Sequence, residues 1–440
     1  MTQLTAPRDV VDGVAAMLAD ARERTLALVS PLGDAALRTQ HDPLMSPIAW
    51  DLGHIAHFEE LWLTRNLDGP VAFTEMPGLF NPFEHPRRER GALPLPSLAE
   101  CVALMREIRA RVLDRLEQAV VDDPARPLLY DGYVYHMVAQ HEYQHDETIL
   151  QTLQLKTGEP YRPLQRSPLP SGDAAGGASR MVRIAGGRVE IGTDDRRRAY
   201  DNERPRHTVE LAPFWMDAYP VTNGSYLQFM EAGGYRTRGW WSDAGWRWLE
   251  DAGIESPKYW RRDGSTWRVR TMDHVEQVDP RKPVCHVCYH EAEAFAAWAG
   301  KRLPTEYEWE AAASWDPAAG RARAYPWGDE DASAALANVD QLTFGVAPVG
   351  AYPRNVSPSG CYGMIGDVWE WTSSDFDGYP GFRAFPYAEY SEAFFGTEYK
   401  VLRGGSWATR PGAVRNTFRN WDYPIRRQIF SGFRCARSDR

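Results

Sequence analysis

The stretch His136–Leu155, HMVAQHEYQHDETILQTLQL, decides how the whole chain is read. It runs 20 residues without Gly or Pro and is rich in good helix formers, so it predicts a helix. At about 100° per residue, His141 and His145 stand about 40° apart on one face. Val134, Met137, Val138 and Leu155 fall on or beside that arc, interrupted by Thr148 and Thr152. His136, Glu147 and Leu150 lie on or near the other side. An i, i+4 histidine pair on a largely apolar arc has the spacing a metal ion needs. A lone histidine there reads more simply as a hydrogen-bonded core residue; the pair puts a metal first and requires a third ligand from elsewhere.

Outward from this helix, residues 8–160 read as a helical bundle. Val11, Val14, Leu18 and Ala21 mark a first helix, and Leu98, Val102, Met105, Val112 and Leu116 mark a third. The second follows Ser46-Pro47, read as a cap and an N1 proline, with the stripe Ile48, Leu52, Ile55 and Trp62. Four helices with a long excursion over 68–96 suggest a four-helix bundle, an architecture that houses metals between facing helices. For the third ligand, His54 lies at the edge of the apolar arc, whereas His57 lies further round towards solvent and His41 precedes the helix. His54 is therefore chosen.

The chain has 440 residues, which predicts two domains. Hydrophobic residues make up 43% and charged residues 25%, as in ordinary globular proteins. A net charge of −10 without basic clusters argues against nucleic-acid or acidic-membrane partners. There is no apolar run of membrane-spanning length and no signal-peptide pattern in MTQLTAPRDVVDG, so a cytoplasmic location is expected. Five cysteines give no disulfide framework.

Residues 164–180, with LQRSPLPSGDAAGGAS, read as a linker. Beyond residue 180 the composition changes, and 15 of the 17 tryptophans lie there. Short strand-like runs (MVRIAGGRVEIGT, HTVELAPFWMDAYPVT) alternate with glycine turns and a few helices such as Tyr289–Trp298. That pattern predicts an α+β domain over 181–440.

The ordered blocks GGRVEIGT, PVTNGSYLQF, RLPTEYEWEAAA, YPWGD, GDVWEWTSS, VLRGGSW and GFRCAR resemble the formylglycine-generating-enzyme-like domain, a C-type-lectin-like fold. SPIAWDLGHIAHFEELWL and HEYQHDE resemble the DinB-like metal-binding bundle, here residues 1–163. This pairing resembles the ergothioneine-biosynthesis sulfoxide synthases. The resemblance implies a non-haem iron(II), O2-dependent oxidoreductase that joins hercynine to the sulfur of γ-glutamylcysteine. It implies iron ligands at His54, His141 and His145, an active-site tyrosine at Tyr387, and Tyr390 lining the hercynine site. Gln144, Asn420 and Trp421 match residues that contact hercynine. Arg87 and Arg90 match residues that bind the cysteine carboxylate, and Asp422 and Arg426 match those holding the γ-glutamyl end. Asp367 and Glu370 resemble positions that bind structural Ca2+ in related domains.

Iron and zinc fit three histidines equally well on the residues alone. The same two domains occur in 5-position histidyl-cysteine sulfoxide synthases and in selenium-using relatives, and some DinB-like bundles are zinc-dependent thiol transferases. Cys285 and Cys288 form a lone CxxC beside His286 and His290; strand alternation would turn the thiols to opposite faces, as packing residues. Cys435 lacks the nearby partner cysteine of the copper-dependent formylglycine enzymes.

Overall fold

The His141 helix runs from Tyr133 to Leu155, beginning earlier than its sequence pattern suggested because Gly132, in the left-handed region (φ 74°), turns the chain into it. The computed structural model describes residues 7–67, 78–156, 158–172 and 180–439. These fall into two compact units. The first takes in residues 1–164 together with Asp195–Tyr200 and Phe385–Tyr387, and the second takes in the rest.

The first unit contains α1 (Pro7–Val29), α2 (Asp34–Arg38), α3 (Ile48–Glu60), α4 (Leu98–Leu116) and α5 (Tyr133–Leu155). α1 packs on α5, and α3 packs on both α4 and α5. The expected stripe of α1 is buried. In α4 the buried stripe runs through Cys101, Met105, Ile108, Val112 and Leu116, with Val102 only half-buried. α4 is opened by a capping box in which Ser97 and Glu100 satisfy each other's backbone N–H groups. α3 departs from the sequence reading at its start. Ser46 is not its cap; Pro47 is, and the Ser46 hydroxyl accepts from Arg90 Nη1 at 2.7 Å. At its end α3 widens into a π-helical turn, Leu61–Arg65, which carries the buried Trp62. The excursion is described only from residue 78, and its 68–77 portion lies outside the described residues.

Charge is buried at the centre of this bundle. Arg22 of α1 donates to Glu142 at 2.8 Å and to Glu59 at 2.6 Å, and Arg109 of α4 donates to Glu59 at 2.5 Å. Thr25 donates to Glu142 and lies within 2.8 Å of Asp146 as well. Glu142 is thereby turned towards α1 and α4, and Asp146 towards α1.

The second unit begins with β1 (Met181–Ile184), β2 (Gly187–Ile191), β3 (His207–Leu211) and β4 (Phe214–Asp217), then α6 (Asn223–Glu231) and α7 (Asp243–Ala252). It continues with β5 (Trp260–Asp263), β6 (Thr266–Thr271), β7 (His274–Gln277), α8 (Tyr289–Trp298) and α9 (Glu306–Ser314). The last strands are β8 (Trp315–Asp316), β9 (Arg321–Ala322), β10 (Trp369–Phe376), β11 (Gly396–Arg403), β12 (Asn420–Asp422), β13 (Ser431–Gly432) and β14 (Ala436–Ser438). β4 is central in a sheet ordered β1-β4-β14, while β2 pairs with β3, and the largest sheet runs β12-β11-β10-β13. A core cluster of Phe214, Met216, Trp309 and Met364 packs under these strands. Buried arginines stitch the blocks together: Arg403 and Arg419 pair with Glu306, and Arg434 pairs with Glu370.

The run read as a linker is described up to residue 172, and 173–179 lie outside the described residues. Its start is pinned to the second unit through Ser167 N–H to the Leu342 carbonyl (2.8 Å) and Arg166 to Asp273 (2.8 Å). No helix among the described residues is long and apolar enough to cross a membrane.

Candidate metal centre

α3 and α5 bring His54, His141 and His145 together. One ring nitrogen from each lies within 4.8 Å of the other two, and this is the only such three-ligand cluster among the described residues. The ring centroids stand 4.5–5.1 Å apart. Two rings are oriented by acceptors: His54 Nδ1 faces the Phe80 carbonyl at 2.9 Å and His145 Nδ1 faces Asp51 Oδ1 at 3.2 Å. A carbonyl and a carboxylate only accept, so both Nδ1 atoms carry hydrogen and leave Nε2 with its lone pair. His141 lies flat against Phe58, 3.6 Å between centroids, and its buried Nδ1 has no hydrogen-bond partner among the described residues. Burial first, and then the neighbouring His145, hold His54 and His141 well below the ordinary histidine value. Neutral imidazoles are the ligating form.

This donor set fits a divalent transition-metal ion. The carboxylates of α5 do not join it: burial alone would raise Glu142, but Arg22 and Arg109 outweigh that and hold it below its usual range. The rejected histidines are occupied elsewhere. His57 is not turned to solvent but stacks on Phe80 at 5.0 Å beside Glu60, and His41 Nε2 faces the Ala36 carbonyl at 3.0 Å.

Around the cluster the first unit places several of the expected residues. Tyr387 is buried, stacked on Trp62 at 4.9 Å and tilted towards Phe58 at 6.5 Å. Gln144 accepts from the Tyr200 hydroxyl at 3.2 Å. Arg90 is buried and lies 3.5 Å over the Trp50 ring, which in turn stacks on His54 at 4.9 Å. Its guanidinium donates to the His85 carbonyl at 2.8 Å as well as to Ser46. Burial and then the neighbouring Arg87 lower it to about 10, Asp51 acting the other way. Arg87 is exposed. Trp50, Asp51, Phe58 and Tyr200 were not foreseen. Asp51 lies three residues before His54, an acid amid the apolar run Ile48–Ile55, but nothing local names its partner.

In the second unit β12 gathers the remaining residues. Trp421 stacks on Phe376 at 4.0 Å and meets Tyr390 edge-on at 5.8 Å. Asn420 accepts from the Trp421 N–H, and Asp422 pairs with Arg426 at 3.3 Å. The Arg426 Nη1 is buried without a hydrogen-bond partner among the described residues. The oxygens of Glu370 accept from Arg434 (2.7 and 2.8 Å) and from Trp309 (2.7 Å). Asp367 Oδ1 is likewise held by Asn338 and the Ala347 N–H, both at 2.7 Å. All five cysteines are free thiols. His286 (φ 67°) breaks the extended backbone between Cys285 and Cys288, so strand alternation does not govern them. A cavity of about 380 Å3 in this unit is walled by Trp260, Phe344 and Trp407 and does not reach the histidines.

Comparisons with known proteins converge on the same two parts. The DinB superfamily matches residues 17–149, and the sulfatase-modifying factor enzyme 1-like domain matches residues 166–439. Hercynine oxygenase of Mycolicibacterium thermoresistibile is 48% identical, covering 96% of this chain and 94% of its own length. Those of Mycolicibacterium smegmatis and Mycobacterium tuberculosis are each 47% identical, covering 95% and 98% of this chain and 97% and 99% of their own lengths. With a three-histidine centre in its helical unit and this likeness along nearly its whole length, the chain belongs to the hercynine oxygenase family and is an oxidoreductase.

Proposed function

We propose that this enzyme uses iron(II) and O2 to couple hercynine to γ-glutamylcysteine, giving the γ-glutamyl-hercynylcysteine sulfoxide of ergothioneine biosynthesis. The observation that carries the reading is the all-histidine cluster, with His54 and His141 buried and His145 half-buried, in a chain that matches hercynine oxygenases over nearly its whole length. Iron held by His54, His141 and His145 would supply O2 activation and open coordination positions for a thiolate. The reaction balances without an external reductant: the thiol loses hydrogen, the imidazole ring loses a C–H, and the sulfide gains oxygen. Together these release four electrons and reduce O2 to the sulfoxide oxygen and one water.

The chain's own residues would do the rest. Arg90 is a buried cation that forms no salt bridge among the described residues, Asp51 acting on it only through its charge, and a substrate carboxylate would complete it. Exposed Arg87 would add a second contact. Tyr387 would move a proton or hydrogen atom at its phenol oxygen, with its ring fixed on Trp62. Gln144, braced by Tyr200, would contact hercynine, as would Asn420 and the faces of Trp421 and Tyr390, which suit a trimethylammonium group. Asp422 and Arg426 would hold the γ-glutamyl amine and carboxylate.

The test is product analysis. Anaerobically iron-loaded protein is given hercynine and γ-glutamylcysteine, then O2, and the product's mass and ring position are read. The expected product carries sulfur on the hercynine ring as a sulfoxide. No coupled product with any thiol or selenol donor would remove the proposal, and zinc in the purified protein without O2 uptake would point to thiol transfer.

A further inference from the structure

Asp51 is only 1% exposed, in the middle of α3, where a carboxylate is expensive unless it is paired. Among the described residues no arginine or lysine forms a salt bridge with it, Arg90 acting only through its charge. Its Oδ1 takes the His145 Nδ1 at 3.2 Å, and its Oδ2 has no hydrogen-bond partner among the described residues. A buried acid whose sole hydrogen-bonded partner is a candidate ligand imidazole makes sense as an outer-sphere charge for a cation beyond that ring.

Two residues on, Gly53 solves a different problem. A Cβ built on Gly53 would fall inside the Phe80 ring. Phe80 ends the short turn Gly78–Phe80, is 5% exposed, and packs on Trp50 and His57. Its carbonyl is the acceptor that orients His54, at 2.9 Å. Any side chain at position 53 must displace that ring, which belongs to the residue whose carbonyl orients His54. One turn of α3 thus holds a ligand, His54, and the two features that aim His54 and His145. His141, by contrast, is held by its stack on Phe58.

We propose that Asp51 and Gly53 are positioning residues of the metal centre, Asp51 fixing His145 directly and Gly53 fixing His54 through the seat it leaves for Phe80. This rests on reading the three histidines as metal ligands, and the experiment separates the two claims. Metal-free full-length protein is titrated with Co(II), following the visible absorption of the bound ion and competing it with a chelator. Asp51→Ala and Gly53→Ala are each expected to weaken Co(II) binding about 10–100-fold and to shift the absorption bands. Asp51→Asn, whose amide oxygen still accepts from Nδ1–H, is expected to recover part of the affinity and the wild-type band position.

Because Gly53→Ala crowds the core, Phe80→Ala provides a second route: it frees the carbonyl without crowding α3 and is expected to weaken Co(II) by a similar factor. The double variant should lose no more than either single one, since both act through the Phe80 seat. Melting of the metal-free variants, followed by circular dichroism, confirms that each is folded. Wild-type Co(II) affinity in both Asp51→Ala and Phe80→Ala, while His54→Ala abolishes binding, overturns the proposal and leaves the metal centre standing. Wild-type binding by His54→Ala as well removes the centre itself.

Discussion

Arg90 illustrates how a side chain acquires a role from its surroundings. In HPRRER it is one of three arginines, yet it alone is buried, clamped on Trp50 with Ser46 and a carbonyl taking part of its fork. Arg90→Lys retains the charge but not the planar fork, so the KM for the thiol substrate is expected to rise about tenfold, with Co(II) affinity unchanged. Tyr387→Phe leaves the stack on Trp62 intact and removes only the hydroxyl. It is expected to lower sulfoxide formation about a hundredfold or more, read by product mass, without altering metal binding. Asp367 gives a prediction about stability. Burial raises its carboxyl to about 6, against hydrogen bonds from Asn338 and Ala347. A folded value above the unfolded one means that the contribution of Asp367 to stability is fully present below about pH 4 and is lost as pH rises through about 6. Asp367→Asn keeps the acceptor oxygen, tolerates φ 60°, and removes the buried charge. It is expected to stabilise the second unit by roughly 1–2 kcal/mol near neutral pH and by little near pH 4. Tryptophan fluorescence reads this well, since 15 of the 17 tryptophans lie beyond residue 180.

Among elements, α5 and α3 show what the sequence could and could not disclose. The i, i+4 spacing of His141 and His145 was enough to mark them, because helical periodicity alone brings them to one face. The choice of His54 over His57 came from the same arc, although α3 is buried nearly all round and His57 is shielded by Phe80. Asp51 could not be recognised as an anchor, because its partner is 94 residues away and an acid in a helix ordinarily faces water. Ser46 was misread for a related reason: Ser-Pro before a helix looks like a cap until a distant arginine claims the hydroxyl. In the second unit the helix Tyr289–Trp298 is legible to the residue, whereas the buried pairing of Glu370 with Arg434 is invisible locally. The Arg22–Glu142–Arg109 group belongs to this scale as well, since it ties α1, α4 and α5. Glu142→Ala would leave two buried arginines short of a partner, an expected cost of about 3–5 kcal/mol in urea unfolding followed by helical circular dichroism. Glu142 sits below its usual range when folded, so its contribution is present above about pH 4 and is lost as the solution becomes more acidic. That is opposite in sign to Asp367.

For the whole molecule, both the helical and the mixed unit could be inferred from composition and motif order, while the membership of each unit could not. No periodicity announces that Asp195–Tyr200 and Phe385–Tyr387 pack with the helices, because short irregular segments carry no pattern. A metal that binds only the folded first unit stabilises it by mass action, about 2.7 kcal/mol at a free concentration of 100 Kd. Calorimetry of the metal-free and Co(II)-loaded protein is therefore expected to show an upward shift confined to the unfolding of the helical unit, reversed by chelator. Loss of that shift in His141→Ala would tie it to the cluster.

The position of Tyr387 also has a consequence in time. A chain is made from its N-terminus and folds as it emerges. His54, His141 and His145 are all translated before the second unit begins, but the ring that stacks on Trp62 follows most of that unit. On the ribosome there is thus an interval in which the three-histidine pocket can form and capture metal with no phenol beside it. Ordering of the gene, rather than any property of the finished fold, makes Tyr387 the last residue of the first unit to be made.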